Sequence, residues 1–374
     1  MNSLIKLLTQ PGKAVECSLQ DWDTLIRQAR ASGMLGTLYH TLKSAQVLNA
    51  VARQAKTHIL AGGIMGDRHT DVARSEIDKI YKTLEHVAIP VIALKGAAYA
   101  LADLTACRGR VFGDIDILVP RGALGDAEKA LKQTGWLATH HSDYDDQYYR
   151  RWMHEIPPLI HRSRQTILDV HHNILPLTAN LKPQAETLWD NAVRIEGYDD
   201  LYRLSDTDLI LHSATHLFQD SEYDRGLRDL FDIARLIHQF EEQPNFWNSL
   251  CYRADELDLV PPLAYALRYV NEVLDVHIPL LPALYPHKKY PSFRKFKWMD
   301  KWFLKALQPH HLLHNSDKFA LWGLYLRGHY LRMPASLLIP HLLYKGTVAK
   351  WHDSSDINTE TENLLQDFLK QTDK

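Results

Sequence analysis

The chain has 374 residues, of which 45% are hydrophobic and 24% are charged, so its composition is that of an ordinary globular protein with two or three core-forming units. The formal charge of −2, from 43 basic and 45 acidic residues, excludes a global attraction to nucleic acid or membranes, and any basic surface must be local. Three scattered cysteines, with no recognisable signal peptide and no apolar run of about 18 residues, predict a cytoplasmic protein without disulfides or a membrane span.

Residues 1–88 are predicted to form an N-terminal helical region. Ser18 and Asp21 have the pattern of a helix N-cap, which opens a helix through Ala29. A second helical pattern covers about 51–86, and the pair Gly62-Gly63 predicts a bend or break within it. Because the region holds no group of candidate catalytic residues, it is interpreted as a helical layer packed on the next domain of the chain.

In residues 89–203, after Pro90, short strands alternate with helices, and this range is predicted to form an α+β or α/β domain. Short strands separated by turns and a few helices favour a mixed or antiparallel sheet. The predicted strands are Val91 to Leu94, Asp114 to Val119, a strand from Trp136, Glu155 to His161, Thr166 to Ile174 and Val193 to Glu196. The predicted helices follow Lys95-Gly96 and cover Leu124 to Gln133 and Pro183 to Ala192, and His140 to Arg151 is predicted to be an exposed loop or an irregular edge.

Helical periodicity returns near Ser205 and predicts a C-terminal helical domain over residues 204–374. The predicted helices run from Ser205-Asp206 through Leu217, from Arg225 to Phe240, and over about 245–256, 261–275, 296–307, 317–333 and 357–371. The predicted fold class is therefore α+β, with a mixed-sheet core between two helical regions.

Asp114 and Asp116 lie two residues apart on an otherwise apolar strand. Side chains two apart in a strand point to one face, so the carboxylates repel each other unless a divalent cation lies between them. Asp169 is a third isolated carboxylate on the later strand 166–174. If the two strands are neighbours, the three carboxylates form a ligand set that Mg²⁺ prefers. The alternative is that Asp114 caps a turn after Gly113 and that Asp169 pairs with an arginine.

A set of short motifs follows one another between residues 90 and 240. They are Leu94-Lys95-Gly96, Arg110 with Asp114-Ile115-Asp116-Ile117-Leu118-Val119, Leu168-Asp169-Val170-His171, Leu209-Ile210-Leu211-His212 through His216, and Arg228 to Ala234. In this order they resemble the DNA polymerase β-type nucleotidyltransferase superfamily, and more closely its bacterial branch of uncharacterised nucleotidyltransferases.

The resemblance implies transfer of a nucleoside monophosphate from a nucleoside triphosphate to an acceptor hydroxyl, with release of pyrophosphate. Asp114 and Asp116 would hold one Mg²⁺ or Mn²⁺ ion and, with Asp169, a second ion that lowers the pKa of the acceptor hydroxyl. The residues implied at the nucleotide are Lys95, Gly96, Ala97, Arg108, Arg110, Gly113 and His171. Lys95 and Arg110 are preferred as partners of the phosphates because the family pattern covers them.

One position departs from the superfamily pattern. The superfamily has Gly-Ser after the first strand, with the serine in contact with the triphosphate, whereas this chain has Gly96-Ala97. Phosphate contacts would come from backbone N–H groups at the helix start and from Lys95. The missing serine motivates an alternative, a catalytically inactive protein of the same fold that binds a nucleotide or a partner. The acceptor stays open among a small molecule, a sugar, a protein and RNA, including tRNA modified by a toxin-like enzyme.

Two pairs of residues on the C-terminal helices have alternative interpretations. His212 and His216 have the i,i+4 spacing of zinc ligands, but such a pair is expected by chance among 21 histidines. Arg228 and Asp232 have the spacing of a surface or interdomain salt bridge, or they place their helix at the rim of the active site.

The segment 287–305 is strongly basic and interleaved with aromatic residues. One interpretation is a surface that binds an RNA acceptor, with aromatics stacking on bases. The other is an amphipathic helix that buries Phe296, Trp302 and Phe303 and leaves its lysines in solvent.

Overall fold

A seven-stranded mixed sheet forms the centre of the computed structural model, which describes residues 3–139, 149–219, 222–279, 284, 287–309, 315–334 and 336–338. The strands are β1 (Val91–Ala93), β2 (Asp114–Leu118), β3 (Trp136–Ala138), β4 (Leu159–His161), β5 (Ile167–His171), β6 (Val193–Arg194) and β7 (Leu201–Arg203). Their order is β3-β4-β5-β2-β1-β7-β6. β2 and β5 are parallel, as are β1 and β7, and the other neighbours are antiparallel. The predicted α+β class with a mixed sheet is confirmed.

Two strands differ from the prediction. No strand is predicted at β7, yet β7 pairs in parallel with β1 along its whole length. The predicted strand from Glu155 to His161 is a continuous strand only from Leu159 onward. Pro157 and Pro158 have no N–H group to donate to a strand ladder, and Glu155 forms an isolated bridge with His171 on the far side of them.

The N-terminal region is helical, as predicted. Its helices are α1 (Ser3–Thr9), α2 (Leu19–Ala31), α3 (Leu35–Ser44) and α4 (Arg53–Glu85). The predicted cap of α2 is a full capping box, in which Ser18 accepts from the N–H of Asp21 and Asp21 accepts from the N–H of Ser18.

The predicted break at Gly62-Gly63 is wrong, because α4 continues through both glycines over 33 residues. The glycines instead allow α3 to cross α4 closely. A Cβ atom on Gly62 would lie 2.6 Å from Cγ of Leu35, and one on Gly63 would collide with the ring of Tyr39. Absence of a side chain at these positions is therefore a packing requirement between two helices.

The remaining helices pack around the sheet and against one another. They are α5 (Lys95–Leu101), α6 (Leu124–Gln133), α7 (Ala185–Asp190), α8 (Asp206–Gln219), α9 (Gly226–Phe240), α10 (Phe246–Glu256), α11 (Val260–Leu274), α12 (Phe293–Ala306) and α13 (Asn315–Arg332). They agree with the predicted helices within a few residues. The predicted helix 357–371, and residues 140–148 of the predicted loop, lie outside the described residues. The end of the predicted loop is wrong, because residues 149–152 are helical.

One hydrophobic core joins the three segments of the chain. It extends from Leu4 in α1 through the buried strands β1 and β2 to Leu324 in α13. Within the described ranges, no helix is both long enough and apolar enough to cross a membrane.

Candidate active site

Asp116 and Asp169 lie opposite each other on the parallel strands β2 and β5. Asp114 shares the face of Asp116 because it is two residues away on the same strand. Asp116 is buried at 4% exposure, whereas Asp114 is exposed at the start of β2. The strand pairing therefore brings the three predicted aspartates together at one cleft, whose wall contains all three.

Lys95 and His171 both contact the carboxylate of Asp116. Nζ of Lys95 donates to Oδ1 of Asp116 at 2.8 Å, and Nε2 of His171 lies 3.1 Å from the same oxygen. Burial opposes ionisation of Asp116, but the charge of Lys95 and the hydrogen bond from His171 outweigh it and hold the pKa of Asp116 well below its usual value. Burial likewise opposes the charge on Lys95, and the Asp116 carboxylate outweighs it and raises the pKa of Lys95. This pair is therefore ionised at neutral pH.

Asp169 lacks such a partner. Its Oδ1 atom is shielded from solvent, and no hydrogen-bond donor in the described part of the chain reaches it. Burial, with a further contribution from the charge of Asp116, raises the pKa of Asp169 to about 7. A buried acceptor oxygen beside two other carboxylates fits a bound cation, and it does not fit the alternative in which Asp169 pairs with an arginine.

The turn after β1 places Lys95 and Gly96 in the wall of the cleft. Lys95 has a φ of +42°, a backbone conformation that is uncommon for a residue with a side chain and is often found at functional sites. A Cβ atom on Gly96 would collide with the ring of Phe112, so only glycine fits there. Gly113 also lines the cleft.

Two residues implied at the nucleotide lie outside the cleft wall that the described residues form. Ala97 is buried in α5 at 2% exposure, and its side chain faces the core. Arg108 is exposed, and its carbonyl oxygen accepts from Nη1 of Arg235 at 3.1 Å. Their side chains are therefore not placed to contact a ligand in the cleft.

Arg110 connects the loop before β2 to helix α9. Its guanidinium forms ion pairs with Asp232 and, at 3.5 Å, with Asp229. Arg228 pairs with Asp229 at 2.7 Å, so the predicted pairing of Arg228 with Asp232 is wrong: Asp232 binds Arg110 instead. Burial and the nearby charge of Arg228 lower the pKa of Arg110 to about 10, which leaves it charged at neutral pH. The prediction that α9 lies at the rim of the site agrees with this geometry, since Arg228, Asp229 and Asp232 all line the cleft.

The cleft has a volume of about 510 Å³. Within the described ranges its wall carries more carboxylates than basic side chains. The acidic residues are Asp114, Asp116, Glu155, Asp169, Glu222, Asp224, Asp229 and Asp232, and the basic residues are Lys95, Arg110, Arg225, Arg228 and Arg332. A triphosphate entering this cleft would therefore meet net negative charge unless cations accompanied it.

His154 and Glu155 also line the cleft, although they are not among the predicted site residues. They stand before Pro157-Pro158, where the strand pattern is interrupted, and they belong to no recognisable motif. Glu155 reaches the site because it pairs with His171 in a β-bridge. Only knowledge of this pairing could have identified Glu155 as a site residue. Pairing of this kind depends on contacts distant in sequence.

The histidine pair on α8 is divided between the core and the cleft. His216 lines the cleft, whereas His212 is buried at 4% exposure and does not belong to the wall. Burial, followed by the nearby charge of Lys95, holds the pKa of His212 well below its usual value. His212 is therefore a neutral core residue at physiological pH.

The basic aromatic segment forms the amphipathic helix α12. Phe296 and Phe303 are buried as predicted, and Trp302 is partly buried against the core. Phe293 and Trp298 are exposed at 79% and 61%, respectively, among solvated lysines. The amphipathic interpretation is confirmed, and no residue of this segment belongs to the cleft wall that the described residues form.

The chain matches a known protein family. A family model described as "uncharacterised nucleotidyltransferase" matches residues 18–275, which is more than half of the chain. The matched range includes β2, β5, Lys95 and the helix α9, and it ends before α12. No curated protein matches the chain. The chain belongs to the family of uncharacterised nucleotidyltransferases.

Proposed function

We propose that this protein is a Mg²⁺-dependent nucleotidyltransferase that moves a nucleoside monophosphate from a nucleoside triphosphate to an acceptor hydroxyl and releases pyrophosphate. The observation that carries the proposal is the pairing of β2 with β5, which gathers Asp114, Asp116 and Asp169 at one cleft. Membership of the nucleotidyltransferase family supports the reaction class.

The donor set fits a hard divalent cation. Three carboxylates on one sheet face offer oxygen ligands, and the buried Oδ1 atom of Asp169 has no hydrogen-bond donor among the described residues. Asp114, Asp116 and Asp169 would hold Mg²⁺ or Mn²⁺. When bound, such ions neutralise the phosphates and lower the pKa of an acceptor hydroxyl.

The basic side chains of the cleft would orient the triphosphate. Lys95 stands at the aspartates and is the closest ammonium group to them, at 2.8 Å from Asp116. Arg110 is fixed by Asp229 and Asp232, so its remaining N–H groups are held in a set direction and its charge is partly neutralised. Lys95 is therefore the main protein cation for the phosphates, and Arg110 contributes mainly by holding α9 at the cleft.

Because the cleft wall carries more carboxylates than basic side chains, binding of the triphosphate should require Mg²⁺, and a binding measurement can test this. We expect the nucleoside triphosphate to bind in Mg²⁺ and to lose detectable binding in EDTA, as measured by isothermal titration calorimetry. Equal affinity in EDTA would contradict the assignment of the aspartates as metal ligands.

Substitution of Asp116 tests the catalytic role. Asp116→Asn should lower pyrophosphate release by about 10²-fold or more, because the carboxylate that neutralises Lys95 and serves the metal is lost. The assay uses each of the four nucleoside triphosphates with sugars, small alcohols, protein and RNA as acceptors. Asp126→Asn, on the exposed face of α6, is the matched control and should retain wild-type release. Release by folded Asp116→Asn at the wild-type rate would contradict the proposal.

A second candidate is a nucleotide-binding protein without turnover. Gly96-Ala97 offers no hydroxyl where the superfamily pattern has a serine, and Ala97 is buried away from the cleft. This candidate predicts Mg²⁺-dependent binding of the triphosphate without pyrophosphate release for any acceptor. Release with one acceptor excludes it.

A further inference from the structure

A second group of potential metal ligands lies next to the aspartates in the wall of the same cleft. Glu155 and His171 are opposite each other in an isolated antiparallel bridge, which places their side chains side by side. Nδ1 of His171 lies 3.1 Å from Oε2 of Glu155. The ring of His154 lies 5.1 Å from the ring of His171, and the ligand atoms of all three residues are within 4.8 Å of one another.

The Nδ1 atoms of both imidazoles in this group are shielded from solvent and not satisfied by the described residues. Nδ1 of His154 and Nδ1 of His171 have no hydrogen-bond partner in the described part of the chain. The separation of His171 and Glu155 is short enough for an ion pair, but it lacks the geometry of a hydrogen bond. Buried polar nitrogens in proteins are normally satisfied, so an unsatisfied nitrogen on each histidine of this group points to a ligand between the three residues.

The other nitrogen of His171 has the environment of a metal-binding imidazole. Nε2 of His171 lies 3.1 Å from Oδ1 of Asp116. A histidine that binds metal through one nitrogen usually donates its other N–H to a carboxylate, which fixes the tautomer and the ring orientation. His171 is 4% exposed, so its ring is held in this orientation by the surrounding structure.

We propose that His154, Glu155 and His171 form a binding site for a divalent transition metal ion such as Zn²⁺, distinct from the magnesium ligands. Two imidazoles and one carboxylate suit Zn²⁺, whereas Mg²⁺ prefers oxygen ligands alone. Tetrahedral ligands about 2.0–2.2 Å from Zn²⁺ stand about 3.3–3.6 Å apart, close to the 3.1 Å between Nδ1 of His171 and Oε2 of Glu155. The ion would fix His171 as a donor to Asp116 and so position that carboxylate for the proposed reaction.

Metal binding by the 374-residue chain tests this proposal without any assay of transfer. The protein is stripped with a chelator and titrated with Zn²⁺ against a chromogenic chelator, and in parallel with Co²⁺ followed by visible absorption. The wild type should bind one Zn²⁺ per chain and should give a Co²⁺ spectrum with imidazole coordination. Loss of an outer partner of a metal ligand weakens binding about 10- to 100-fold, so His154→Gln and Glu155→Gln should each weaken it at least that much.

Two control variants separate this site from its neighbours. His172→Gln removes an adjacent buried histidine outside the group and should bind Zn²⁺ as the wild type does. Asp114→Asn removes a proposed magnesium ligand and should also retain Zn²⁺. The proposal is overturned if the wild type binds no stoichiometric Zn²⁺, which would leave His171 as an imidazolium between two carboxylates. It is also overturned if folded His154→Gln and Glu155→Gln both bind as tightly as the wild type, or if only Asp114→Asn loses the ion.

Discussion

Asp169 and Asp208 are two aspartates whose pKa values are raised by burial, but only one of them has a cationic partner. Asp169 reaches a pKa of about 7 beside another carboxylate, with one oxygen unsatisfied among the described residues. Asp208 accepts two hydrogen bonds from the guanidinium of Arg253, each at 2.7 Å. The contrast identifies Asp169 as a group arranged for a ligand and Asp208 as a structural one.

The raised pKa of Asp169 predicts a pH-dependent loss of stability in the metal-free protein. In the folded chain this carboxyl stays protonated up to about pH 7, whereas in the unfolded chain it ionises near pH 4. The folded state therefore holds an extra proton in that interval, and its stability falls as pH rises through it. Relative to Asp169→Asn, the wild type should lose up to about 1.4 kcal/mol per pH unit between pH 5 and 7, measured by urea unfolding in EDTA.

Asp208→Asn is the matched comparison and should act in the opposite direction. It leaves the guanidinium of Arg253 buried without its main carboxylate, which costs about 3 kcal/mol. We expect this variant to unfold at lower urea concentration at pH 7, where Asp169→Asn is at least as stable as the wild type. Destabilisation of equal size by both substitutions would contradict the inference that the ionised Asp169 carboxylate lowers the stability of the folded protein.

At the scale of elements, glycines control how closely the N-terminal helices approach the site. A Cβ atom on Gly66 in α4 would lie 2.6 Å from Cα of Gly109, in the loop that carries Arg110. Gly109 itself has a φ of +75° and is packed against the backbone of Gly36 in α3. The loop before β2 is therefore clamped between two helices, and the clamp requires bare backbone at each of these positions.

Gly66→Ala should destabilise the protein by about 1–3 kcal/mol, because the added methyl group overlaps backbone that cannot rotate away. Gly125→Ala, in the exposed first turn of α6, has open space and should stabilise the protein by about 0.5 kcal/mol through helix propensity. Thermal unfolding of the two variants measures the difference. If Gly66→Ala were stabilised, α4 and the loop at Gly109 could move apart without loss of folding free energy, and the close-packing argument would be wrong.

The same elements show how far sequence patterns determine the fold and the site. Alternation along β2 and β5 predicts which face carries Asp116 and Asp169, because side-chain direction in a strand is a local property. By contrast, the partners of an ion pair or a β-bridge can be far apart in sequence, and local patterns do not predict them. The i,i+4 spacing on α9 predicts that Arg228 pairs with Asp232, but Arg110 arrives from a distant loop and takes Asp232. Glu155 reaches the site through a bridge beyond two prolines, which no periodicity records.

At the scale of the whole molecule, the site is shared between segments that the sequence pattern predicts as separate domains. Tyr99 and Arg110 come from residues 89–203, whereas Ser213 and Asp232 come from residues 204–374. The hydroxyl of Tyr99 lies 2.5 Å from Oγ of Ser213, and Arg110 pairs with Asp232, and all four groups line the cleft. The hydrophobic core also runs without interruption from the first segment to the last.

This sharing predicts cooperative unfolding of the whole chain. A fragment that ends at residue 203 loses the carboxylates of Asp229 and Asp232, and the largely buried guanidinium of Arg110 is then unpaired. The fragment also exposes the face of α5 that packs on α8 in the whole chain. Calorimetry of the whole chain should show one transition with equal calorimetric and van't Hoff enthalpies, and fragment 1–203 should show no cooperative transition. Separate transitions in the whole chain, together with cooperative unfolding of the fragment, would instead establish residue 203 as a true domain boundary. The cleft would then lie between two units able to move independently.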